Sequence, residues 1–227
     1  MNNSAELFEQ IKVLAESAVV CDVGWADLRG LRHPLSRKFA SAVSVIVPFS
    51  RGVLKGINDK PTITYYAHYR AVNRAIDDLT LKITLLLEQK GFEAFPVPAS
   101  QSDPFSDDPY SAVFQHKTAA VLAGKGWIGK NALFIHPQYG PAVRLGTVLT
   151  TLEGGCASPM ASRCGDWQQC KRHCPAMAIE GGEWQPGMPR NQLLDARACS
   201  AYMKEQYQDI GRGSVCGLCI VHCPFFQ

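Results

Sequence analysis

Eight of the nine cysteines in this 227-residue chain fall between Cys156 and Cys223. The last three lie in Cys216-Gly-Leu-Cys219-Ile-Val-His-Cys223-Pro224, and an earlier set lies in Cys164-Gly-Asp-Trp-Gln-Gln-Cys170-Lys-Arg-His-Cys174-Pro175. Both motifs end in C-x3-C-P. Two cysteines two residues apart can turn onto adjacent irons of one cubane. A cysteine held extended by a following proline points away, toward the second cluster of a pair. The spacing predicts two 4Fe–4S clusters with crossed ligation and one-electron redox chemistry. One cluster takes Cys174, Cys199, Cys216 and Cys219; the other takes Cys164, Cys170 and Cys223.

The fourth ligand of the second cluster is open. A bacterial ferredoxin run would carry a cysteine at position 167, where this chain has Trp167. Cys156 is the spare cysteine nearby and is expected to fold back as that ligand. The alternatives are a three-iron site or a ligand other than cysteine. Zinc is the competing metal, but zinc ribbons use paired C-x2-C knuckles and only one such pair exists here. Cys21 reads as a small buried hydrophobe. Ile179, Leu218, Ile220 and Phe225 are the apolar residues expected to keep water from the sulfurs.

Strands and helices alternate as far as residue 151. Leu7, Phe8, Ile11 and Leu14 recur at helical spacing, and Tyr65 to Leu86 forms a long amphipathic pattern that stops at Gly91. Ala18–Gly24, Ala42–Phe49, Phe92–Val97, Ala132–Ile135 and Val143–Thr150 read as strands. A polar loop runs from Gln101 to Pro109, ahead of a helix over Ala112–Ala123. Beyond residue 151 Cys, Gly and Pro dominate, with one helical stretch over Gln192–Lys204. The predicted class is α+β: a mixed sheet with flanking helices over residues 1–151, then a ferredoxin-like double-cluster module over 152–227.

The net charge is only +3, without a concentrated basic run of the kind that marks nucleic-acid binding. No apolar run is long enough to span a bilayer, and the N-terminus lacks a secretory signal, so a cytoplasmic protein with no membrane partner is expected.

The stretch His116-Lys117-Thr-Ala-Ala-Val-Leu-Ala-Gly124-Lys-Gly126-Trp127-Ile128-Gly129-Lys130-Asn131, the segment Gly140–Thr150, Leu194-Asp195-Ala196-Arg197-Ala-Cys199 and both cysteine motifs resemble the epoxyqueuosine reductase family, which is related to reductive dehalogenases. The resemblance covers about Ala40 to Pro224. It implies an α+β domain holding cobalamin beside the nearer cluster, with Gly126, Trp127, Ile128, Gly129, Lys130 and Asn131 at the corrinoid face. Two glycines around Trp127 and Ile128 would let backbone approach a flat macrocycle; the plainer reading is a tight turn with a buried indole.

Three departures stand out. The family's proton-donating Asp aligns with Tyr110, and a Glu–Arg pair aligns with His116-Lys117. Tyr110, His116 and Lys130 become the catalytic candidates, with Asp107 and Asp108 as alternative donors. The family's helical-repeat tail, which engages tRNA, has no counterpart in this sequence, so tRNA is not the expected substrate. Trp167 replaces a cluster cysteine. The expected function is a cobalamin-dependent reductase acting on a small molecule. The alternatives are an electron-transfer protein serving a redox partner protein, and a cobalamin-handling module without turnover.

Overall fold

The computed structural model describes residues 3–100 and 102–226. Chain contacts divide it into two compact units. One comprises Met1–Pro48, Val72–Lys125 and Arg144–Met160; the other comprises Phe49–Ala71, Gly126–Val143 and Ala161–Gln227. The composition change at residue 151 therefore does not coincide with a single cut. Residues 49–71 and 126–143 join the cysteine-bearing segment, because they supply the apolar surface it packs on.

The first unit is built on a four-stranded sheet. Helix α1 (Asn3–Ala18) buries Leu7, Ile11 and Ala15 at four-residue spacing. Strand β1 (Asp22–Asp27) pairs antiparallel with β2 (Ser41–Pro48), Asp22 opposite Ile46 and Asp27 opposite Ser41. The short helix α2 (Arg51–Leu54) is followed by α3 (Ile63–Gln89), whose 27 residues run roughly 40 Å. Strand β3 (Ala94–Val97), helix α4 (His116–Leu122), the short strands β4 (Trp127–Ile128) and β5 (Phe134–Ile135), and β6 (Val143–Thr150) follow.

The sheet order is β1-β2-β6-β3, with β3 antiparallel to β6. The two central strands carry continuous Val, Ile and Leu runs and are buried almost throughout, as strands covered on both faces must be. Helix α4 packs on β1 and β2. Its Ala119 and Ala123 close a core with Leu28, Phe39, Phe114 and Leu149.

In the second unit β4 and β5 form a two-stranded hairpin. The cysteine segment adds α5 (Gln169–Arg172), α6 (Ala196–Gln206) and α7 (Leu218–Val221). An isolated antiparallel bridge joins Ile179 to Leu194.

Some elements differ from expectation. The helix expected from Ala112 begins only at His116, because Gln115 stays extended and provides no side-chain cap. Helix α6 starts at Ala196, since the Asp195 carboxylate accepts from the backbone N–H groups of Arg197 and Ala198 and fixes the first turn there. Among the described residues no helix is long and apolar enough to cross a membrane.

Candidate metal centre

Each C-x3-C-P motif is wound on one helical turn. Cys170 lies in α5 with Cys174 just beyond it; Cys219 lies in α7 with Cys223 just beyond it. Gly217 starts the second turn at φ +84°, a left-handed conformation that a side chain would strain. The two turns pack on one another.

Cys199 and Cys216 each feel Cys174, Cys223 feels Cys164 and Cys170, and Cys219 feels Cys216, Cys199, Cys174 and Cys170, so thiols of the two motifs stand near one another. Burial, followed by the repulsion of neighbouring thiols, pushes Cys199 and Cys223 up to about 11. Burial likewise raises Cys170 and Cys216 and takes Cys219 far above the ordinary thiol range. These thiols hold their protons at neutral pH, and metal assembly must expel them.

Among the described residues no group of three or more His, Cys, Asp or Glu side chains is tight enough to hold a single metal ion. The donors are all thiols, which suits iron–sulfur chemistry. The Tyr207 hydroxyl donates to the Asp59 carbonyl at 3.5 Å and stands near the Cys216 sulfur, a neighbour the spacing of motifs could not announce.

Cys164, Cys170 and Cys223 line a small cavity together with Lys130, Trp167 and Phe225. Trp127 packs against Cys164 and Cys223, with its ring edge-on to Phe225 at 5.1 Å. The Trp127 indole N–H is buried without a partner. An orphaned buried donor beside two thiols is the polarity that a sulfide-rich, anionic cluster would satisfy.

The stretch expected at a corrinoid face is spent differently. Gly126 through Asn131 are all buried. A Cβ on Gly126 would lie 2.1 Å from the Ile135 carbonyl oxygen, so the glycine serves the β4–β5 hairpin. The Lys130 ammonium donates to the Gly165 carbonyl, and Asn131 Nδ2 donates to the Cys219 carbonyl at 3.1 Å. One turn therefore holds a loop from each cysteine motif. Lys130 and Asn131 thus clamp the cysteine loops, while Gly126 serves the hairpin; no step through cobalamin is derived from this stretch.

The catalytic candidates are not gathered within one compact unit. Lys130 acts in the clamp. Tyr110 is half-buried in the first unit, in a loop where its N–H donates to Asp108 Oδ1 at 2.9 Å. Gln101, at the start of that loop, lies outside the described residues.

His116 is held at both nitrogens: Nε2–H donates to the Pro98 carbonyl at 3.1 Å and Nδ1 accepts from the Thr147 hydroxyl at 2.8 Å. Burial lowers it to about 4. It is a neutral structural imidazole, poorly suited to proton transfer. Around it Arg144 donates to Asn73 Oδ1 and the Ala99 carbonyl, and Asp77 accepts from the Ala99 N–H. Sequence reasoning missed this polar girdle at the end of β3, because its members are scattered over three elements.

Cys156 is exposed and belongs to the first unit. A Cβ on Gly154 would lie 2.1 Å from the Trp25 ring, and a Cβ on Gly124 would lie 3.0 Å from Ala157. The chain is pinned on both sides of Cys156 by contacts within that unit. Cys164, Cys170 and Cys223 belong to the other.

No family model matches the chain. An epoxyqueuosine reductase from Gloeobacter violaceus is 37% identical over 122 residues, which cover 49% of this chain and 35% of the relative. One from Aliivibrio fischeri is 25% identical over 210 residues, covering 85% of this chain and 50% of the relative. The chain thus spans between a third and a half of these curated relatives. Among solved structures, a reductive dehalogenase described as B12-dependent superposes with a TM-score of 0.75 at 18% identity, over 96% of this chain and 31% of its own. An epoxyqueuosine reductase bound to an epoxyqueuosine-modified tRNA-Tyr stem loop superposes at 0.64 and 18%, over 98% and 66%.

At such identities the solved structures establish the fold. They also overturn one expectation. The absence of a basic run argued against tRNA, but a structural neighbour engages a tRNA stem loop and the sequence relatives are reductases of a tRNA nucleoside. A binding surface assembled in three dimensions leaves no mark as a run of charges. By sequence and by fold alike, this chain is related to the epoxyqueuosine reductases, and its fold is shared with the reductive dehalogenases.

Proposed function

We propose that this chain is an iron–sulfur reductase with two cluster sites, one on Cys174, Cys199, Cys216 and Cys219 and the other on Cys164, Cys170 and Cys223. The observation that carries the reading is that the two C-x3-C-P turns pack on one another and bring Cys223 of the second motif to the cavity lined by Cys164 and Cys170 of the first. Iron–sulfur cubanes supply one-electron transfer when bound. The chain's own residues hold them, with Lys130 and Asn131 clamping the loops, and exclude water with Ile179, Leu218 and Ile220. Cobalamin, implied by the relatives, would supply the reductive chemistry. The first substrate to test is the epoxide of an epoxyqueuosine tRNA stem loop, the ligand of a solved neighbour. Small epoxides and aryl halides follow.

A second reading, electron transfer to a partner protein without a bound corrinoid, is favoured by one observation: Lys130 and Asn131 are engaged in holding the cysteine loops. Iron, sulfide and corrinoid analysis of anaerobically purified protein, followed by mass spectrometry of the reduced stem loop, tests both. Iron with sulfide, corrinoid uptake and conversion of epoxide to alkene supports the reductase. Full clusters without corrinoid binding support the carrier. Zinc or no metal defeats both.

A further inference from the structure

The site of Cys164, Cys170 and Cys223 has three thiols for a cluster with four corners. Where the fourth cysteine would stand is Trp167, whose indole packs on Phe225 with ring centroids 5.5 Å apart. An indole carries an N–H donor and no acceptor lone pair for iron. Besides the three cysteines, the polar lining of the cavity is Lys130, Asn131 and Gln169. The Lys130 ammonium is tied to the Gly165 carbonyl and Asn131 to the Cys219 carbonyl. No imidazole or carboxylate lines the cavity among the described residues. Cys156 is exposed and is not among the residues that line the cavity.

We propose that a cluster held by Cys164, Cys170 and Cys223 would have one iron without a protein thiolate, its coordination completed by a small anionic or neutral ligand from solution. The inference rests on the two-cluster reading above. Such an iron is exchangeable. On mild oxidation the four-iron cluster gives one electron to an added one-electron oxidant and releases one ferrous ion, leaving a three-iron cluster; ferrous iron plus one electron from a reductant restores it. Lys130, buried beside the site, provides the positive charge that favours an anion there.

The test uses anaerobic full-length holoprotein, as wild type, Cys156→Ala and Trp167→Cys. Each is titrated with ferricyanide, followed by EPR and iron analysis, then treated with ferrous iron and dithionite. The expected result is a three-iron EPR signal with loss of roughly one iron per chain in wild type and Cys156→Ala, reversed by the second treatment. Trp167→Cys, with a restored fourth thiolate, should resist. The proposal is overturned if Cys156→Ala lacks this cluster from the outset, because Cys156 would then be the ligand. It is equally overturned if wild type keeps all its iron under oxidation. Protein that never contains iron and sulfide defeats the two-cluster reading itself, an outcome distinct from both.

Discussion

The rings of His173 and His222 stack face to face, 3.9 Å between centroids and 14° between planes. Each histidine stands immediately before the Cys-Pro of its motif. The stack joins the two C-x3-C-P turns, α5 and α7, which pack on one another, and Cys223 lines a cavity with Cys164 and Cys170.

The proposed crossed ligation predicts separable lesions. Cys174→Ala should lose the cluster on Cys199, Cys216 and Cys219, and Cys223→Ala the one on Cys164 and Cys170. Iron and sulfide counts with EPR on both variants check this. Loss of the same signal in both would refute crossed ligation.

Lys130 is a positioning residue. Lys130→Met removes a charged donor from the Gly165 carbonyl, beside Cys164, and costs about 1.5–3 kcal/mol. The expected outcome is a lower melting temperature and faster bleaching of the cluster on Cys164, Cys170 and Cys223 by an iron chelator. The cluster containing Cys174 should bleach at the wild-type rate.

Tyr207 tunes the other cluster. Its hydroxyl, near Cys216, is placed to donate to a thiolate there, which would stabilise the more negative, reduced state. Tyr207→Phe should lower that cluster's reduction potential by on the order of 60 mV, the one-electron equivalent of about 1.4 kcal/mol. Dye-mediated redox titration reads the shift, and an unchanged potential would remove Tyr207 from this role.

His116 makes folding sensitive to acid. Its folded-state value is about 4, against 6.5 for the free side chain. Above 6.5 both states are neutral and the stabilisation is fully present. As pH falls from 6.5 toward 4, the unfolded chain takes a proton that the folded one refuses, so stability declines; below about 4 the loss levels off. Arg144 adds to the depression and Asp77 opposes it. Urea melts between pH 4 and 7 should show this slope in wild type and a flatter one in His116→Gln.

The cysteine motifs stand out in the sequence because ligation imposes short, local spacings on the chain. The central strands were legible from their Val-rich, β-branched composition, and α3 from its three-and-four repeat. The clamp was not. Lys130 and Asn131 donate to carbonyls 35 and 88 positions away, and backbone acceptors leave no trace in residue type. The hairpin of β4 and β5 is two residues long on each side, too short for an alternating pattern to register. His116 drew attention through its alignment with a catalytic position, but its ring is spent on Pro98 and Thr147.

The two compact units exchange the polypeptide five times, at 48/49, 71/72, 125/126, 143/144 and 160/161. A miniature electron carrier made by excising residues 161–227 would therefore arrive without the turn that grips its loops and without Ile57 and Tyr65, which lie against Gly217. Anyone wishing to transplant these clusters into another scaffold must carry over three separate stretches of chain, stitched by new linkers.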